Sequence, residues 1–211
     1  GIFVFNNGSL KANGDAILIR PSTQTGGQAL VSHSKIVSQT GNGINLDAHH
    51  ALADLDHAQV TTEGKNGAGI WMPGTNSRAV VRDSQLETRG AQAAGVDNRA
   101  GAFLMRGGSV TTYGKSAHGL YASTGVIGNP AETPSASFDV QNGLIETFGE
   151  GSVGALARNS GTHMAIAHSR VLTHGDISHA LFVSGKGAEF EVTDSSVTTQ
   201  GLSAYGAHVS N

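Results

Sequence analysis

The 211-residue chain contains no cysteine, so its stability has to come from packing and hydrogen bonds, with no disulfide framework. Charge is scarce at 14% of residues, aromatics stand at 5%, and there are four prolines. The 13 Lys and Arg are scattered and the net charge is −3, so no basic stripe exists to recruit nucleic acid. No apolar run approaches the length of a membrane span. The opening Gly1-Ile2-Phe3-Val4-Phe5 lacks a basic start and is too short to be a signal peptide. Disorder is excluded as well, because apolar residues recur at fixed positions and net charge is low.

Glycine, by contrast, is abundant at 30 residues, about twice the usual share. It closes a recurring unit of the form DSSVTTQG at Gly201. Copies end at Gly175 (SRVLTHG), Gly149 (GLIETFG), Gly114 (GSVTTYG), Gly90 (SQLETRG) and Gly64 (AQVTTEG). Weaker copies end at Gly41 and Gly14, and the closing glycines lie 27, 23, 26, 24, 35, 26 and 26 residues apart. A period in the twenties marks a solenoid, whose repeats bury their apolar faces only against their neighbours.

Each copy resolves into three short segments. The first alternates apolar residues, as in Phe3/Phe5, Ala53/Leu55, Phe103/Met105 and Phe190/Val192, ahead of a small residue such as Gly8, Ala58, Gly108 or Ser195. The second has an aliphatic two residues after the small one (Leu10, Ile36, Val60, Leu86, Val110, Ile145, Val171, Val197), with Thr usually two further on. The third is small-x-Gly-aliphatic, as in Gly69-Ile70, Gly95-Val96 and Gly119-Leu120. Period-two alternation over so few residues predicts strands with one buried face, and no helical i, i+3, i+4 pattern persists. Three strands per turn predict an all-β, right-handed parallel β-helix of about eight turns. At a strand spacing of about 4.8 Å such a rod is roughly 35–40 Å long.

The residue before each small position is Asn7, His33, His57, Asp83, Gly107, Asn142, His168 or Asp194. These are the types that best tolerate positive φ, so a left-handed bend is expected there. Between the third segment and the next turn lie segments of variable length, 20–27, 47–50, 73–77, 98–101, 124–135, 159–162 and 184–187, expected to leave one corner of the prism. The chain begins and ends partway through a repeat without a polar or proline-rich cap, and residues 1–211 read as a single β-helix fragment of a longer protein.

The repeat F-x-V-x-D-S-x-V-x-T-x-G resembles the passenger domains of bacterial autotransporters, particularly the pertactin-like group. The resemblance implies export through the periplasm to the outer-membrane surface by a C-terminal translocator β-barrel. It also implies a non-enzymatic adhesion or virulence role toward a host matrix, serum or cell-surface protein or glycan. The Arg-Gly-Asp and Gly-Asp-Ser-Gly signatures of some members are absent. Alternatives are a polysaccharide-degrading or tailspike-like β-helix enzyme, or a passive spacer.

Enzyme chemistry finds little purchase. Glycoside hydrolysis needs two carboxyl groups at a defined separation, and the best outward pair, Glu87 and Glu146, is two turns apart with Thr111 between. Arg106 and Asp139 should meet as a surface ion pair. His163, His168, His174 and His179 fall in one turn without converging, and no GGxGxD calcium motif occurs, so neither metal nor cofactor is expected. The candidate partner surface is the outward column one past the third-strand aliphatic, where Trp71, Tyr121, Leu156 and Phe182 should form an exposed apolar stripe. Sheet-stabilising packing is its structural alternative.

Overall fold

The computed structural model describes residues 1–20, 26–124 and 135–210. Among these, every regular element is a β-strand. Each of three parallel sheets collects every third strand of the chain, eight in all, in chain order. The first sheet runs from Ile2–Asn6 to Glu189–Thr193, the second from Ser9–Ala12 to Ser196–Thr199, and the third from Ile17–Ile19 to Ala207–Ser210. This is a parallel β-solenoid with three strands per turn.

The register is the one that the alternation predicts. Ala53, Ala79, Phe103, Phe138, Met164 and Phe190 pair in consecutive turns, and Val60, Leu86, Val110 and Ile145 do so in the second sheet. These aliphatics meet those of the third sheet in one dry interior. Side-chain volumes compensate within a turn: Ala53 is buried in the turn that holds Met72, whereas Phe103 and Phe138 share theirs with Ala122 and Ala157. A stack of near-constant cross-section requires such trading, because close-packed interiors tolerate neither voids nor excess volume.

The bend between the first and second strands is left-handed in every turn. Its φ values are 52° at Asn7, 46° at His33, 48° at His57, 43° at Asp83, 75° at Gly107, 56° at Asn142, 48° at His168 and 46° at Asp194. The serine that follows in several turns ties adjacent turns together. Ser84 Oγ accepts the N–H of Ala58 at 2.9 Å and donates to its own strand at Arg82 O, 2.7 Å away; Ser169 repeats this toward Gly143 and Ala167.

The recurrent threonine also has a defined task. Thr62, Thr88, Thr112, Thr147 and Thr173 point inward and are fully buried. Each hydroxyl donates to the carbonyl five residues on, satisfying a turn that would otherwise leave a buried acceptor unpaired. The closing glycine is required by proximity, since a Cβ at Gly114 would lie 1.9 Å from the carbonyl oxygen of Gly90.

The connections at 47–51, 73–77, 99–101, 159–161 and 185–188 link the third sheet to the first. Those at 20–27 and 124–135 include residues outside the described ones. Asn98, fully buried at this corner, donates to the carbonyls of Gly101 and Ser137 and accepts the N–H of Gly101. It thereby holds the corner loop against the next turn.

Candidate binding cleft on the third sheet

One column controls the surface of the third sheet: the residue two before each third-strand aliphatic. It reads Asp15, Asn42, Ala68, Ala94, His118, Val153, His179, Tyr205. Its carbonyls are taken by the backbone of the preceding turn, as in Gly69 N to Ala94 O at 3.0 Å and Gly95 N to His118 O at 2.9 Å. Its N–H groups have no such backbone acceptor, and a side chain of the preceding turn serves instead. Asp15 Oδ1 accepts from Asn42 N–H at 2.7 Å, Asn42 Oδ1 from Ala68 at 2.9 Å, His118 Nδ1 from Val153 at 3.0 Å and His179 Nδ1 from Tyr205 at 3.1 Å.

The ladder breaks where the column residue has no acceptor. Val153 is an isolated break. Ala68 and Ala94 are consecutive, and among the described residues the N–H groups of Ala94 and His118 have no hydrogen-bond acceptor. Because alanine also fills none of the space that Asn42 and His118 occupy on either side, a cavity of about 450 Å³ opens over these two turns. Ala68 and Ala94 form its floor, Asn42 and His118 its ends. Asn66, Gln92 and Ser116 line one side, all three with left-handed φ of 63°, 59° and 53°.

The other side is Trp71, Asp97, Arg99 and Tyr121. Trp71, Asp97 and Tyr121 are register partners on adjacent strands. Arg99 folds back between the two rings, its guanidinium carbon 5.2 Å from the Trp71 centroid and 4.7 Å from that of Tyr121. It grips Asp97 with both edges of its fork, Nε to Oδ1 at 2.6 Å and Nη2 to Oδ2 at 2.9 Å. Burial pushes the Asp97 carboxyl above its ordinary value, against the opposing pull of Arg99. The pair cancels its own charge and leaves the wall rigid.

His118 is held neutral. Burial, and secondarily the charge of Arg158, lower its pKa from 6.5 to about 4. Since Nδ1 accepts the Val153 N–H, the proton of the neutral ring sits on Nε2.

The structure redistributes the expected apolar stripe. Trp71 and Tyr121 do share the cleft wall, but they clamp Arg99 and are only half-exposed. Leu156 is 2% exposed and faces no solvent. Its register partners on either side are Tyr121 and Phe182. Phe182 packs on His179 and His208, at 5.8 and 4.7 Å between centroids. The four side chains therefore form no continuous apolar surface.

The acidic residues singled out in sequence are each engaged. Glu87 and Glu146 lie on either side of Thr111 as expected. Glu87 bonds Arg89 at 2.6 Å, and Glu146 lies 2.8 Å from the Nε2 of His174, whose ring stacks on Phe148 at 4.3 Å. Arg106 and Asp139 form the expected ion pair at 2.6 Å. Among the described residues no group of three His, Asp or Glu side chains could hold a metal ion.

Asp97, Arg99, His118 and the alanine floor had not been read from the sequence as a site. The available signal was the column before the glycine, in which polar residues give way to two alanines and then resume.

No family model matches the chain, and no curated protein does. Among solved structures, full-length QnrB1, a plasmid-mediated fluoroquinolone resistance protein, matches over 100% of this chain and 94% of its own length. The identity is 10% and the TM-score 0.38, a likeness that transfers neither activity nor partner to this chain. The resemblance to pertactin-like autotransporter passengers is corrected here: no family model and no curated protein, passenger or other, matches the chain. The adhesin role, the host matrix, serum or cell-surface partner and the translocator barrel rested on that resemblance and fall with it. The sequence rhythm misled because it follows from stacking three strands per turn, and any coil of this section reproduces it.

Proposed function

We propose that the chain is a non-catalytic solenoid whose third sheet carries a small-molecule binding cleft, with the Ala68–Ala94 gap as its floor and the Trp71–Arg99–Tyr121 clamp as its wall. The interrupted ladder is the observation that carries this reading. Two consecutive N–H groups lie without a protein acceptor in a cavity flanked by fixed polar and aromatic groups, the usual make-up of a ligand pocket. The absence of a close carboxylate pair or an activated nucleophile around the cleft supports binding over turnover. We take the coil to be right-handed, with eight turns, since parallel strand crossovers are right-handed in almost all sheets.

Replacing Ala68 and Ala94 by Asn tests the reading, because Asn42 already shows that Asn fits this column and accepts the next N–H. A fragment library screened by ligand-observed NMR should give hits on the wild-type protein that vanish in A68N/A94N, while the variant unfolds at an equal or higher temperature. Hits of equal strength in both proteins, or no hits at all, would overturn the cleft assignment.

A further inference from the structure

We infer that the ligand of this cleft presents a carboxylate to its floor; this rests on the cleft reading above. The chain supplies its own template two turns earlier, where a carboxylate occupies the same column. Asp15 Oδ1 accepts the N–H of Asn42 at 2.7 Å and its side-chain amide at 3.0 Å, and Oδ2 accepts the amide of Asn45 at 2.7 Å. At Ala68 and Ala94 the column has lost its side-chain acceptor, yet the N–H that each such side chain would cap remains, on Ala94 and on His118.

The two donors sit on adjacent turns, about 4.8 Å apart by strand spacing, and either can take one carboxylate oxygen as the N–H of Asn42 takes Asp15 Oδ1. The position that Asn45 holds beside Asp15 becomes Asp97 and Tyr121 in the next turns of the cleft. Asp97 does not repel an incoming anion strongly, because both its oxygens are already bound to Arg99. The remaining groups lining the cleft include the amide of Gln92 and the hydroxyl of Ser116, both able to donate. Charge-assisted hydrogen bonds are about twice as strong as neutral ones, so an acid should outcompete its isosteric amide.

Trp71 is the single tryptophan of the chain and stands in the cleft wall, so its fluorescence reports occupancy. The test titrates the protein with benzoate against benzamide, and glucuronate against glucose, in the wild type and in Ala68→Asp, which builds a carboxylate into the gap. The inference expects the acids to bind about tenfold or more tightly than their neutral counterparts, and expects that binding to disappear in A68D. Equal binding of acid and neutral forms, both lost in A68D, overturns the carboxylate while leaving the cleft in place. No change of Trp71 emission with either acid overturns it too, and the cleft reading is then decided by the fragment screen alone.

Discussion

Acidification should loosen the protein through His118, by an amount that the structure sets. The folded chain holds this imidazole at a pKa of about 4 against an ordinary 6.5, so between those values the unfolded chain binds the extra proton. Stability is therefore full above about pH 6.5, declines as pH falls through the window, and has lost the whole contribution below about 4. At about 1.4 kcal/mol per pH unit the full contribution is about 3 kcal/mol, of which about 2 kcal/mol is gone by pH 5. The physical event is specific: a proton on Nδ1 would meet the N–H of Val153 head-on and cancel the bond between the two turns. His179, whose pKa is lowered by burial and by His208, adds a contribution of the same sign, while Asp97, raised by burial, titrates oppositely. The decisive quantity is accordingly the difference between the wild type and His118→Asn, which keeps an acceptor for Val153 but does not titrate. Urea unfolding followed by circular dichroism near pH 7 and near pH 5 should show about 2 kcal/mol less acid loss in the variant. An NMR titration of the His118 ring gives the midpoint directly, and a value of about 6 or above would refute the argument.

Ile177 has φ of 56° and is 56% exposed, a β-branched residue in a left-handed turn position. Replacing it by Asn should stabilise the protein by about 1 kcal/mol in urea unfolding, and a loss of stability would show that its side chain matters more than its backbone. Thr112→Val keeps the shape but strands the buried carbonyl of Ala117, which Thr112 meets at 2.7 Å. It should cost about 1–3 kcal/mol, whereas Thr111→Val on the outer face of the same strand should cost close to nothing; equal effects would refute the assigned role of the inward hydroxyl.

The period of the glycines and the alternating aliphatics carried the three-strand turn and its register, because both follow from how a stacked coil excludes water. The residue types of the bend column carried its left-handed conformation, since few side chains accept that φ. Trp71 and Tyr121 were also legible as members of one column. Depth was not: alternation says which side of the sheet Leu156 is on, but not how far its surroundings cover it, and it is 2% exposed. Arg99 escaped because it reaches the wall by folding back from a corner loop, out of register with any strand. The cleft itself was hardest to see, being made by two alanines whose significance appears only against the polar residues above and below them.

Where a side chain of the Asp15–Tyr205 column accepts a backbone N–H, as at Asp15, Asn42, His118 and His179, that N–H always belongs to the following turn. The stack thus has a grain, like overlapping roof tiles, each fastening the one laid after it. Loss of a side chain at one level should fray protection from solvent exchange at the level above it and leave the one below untouched.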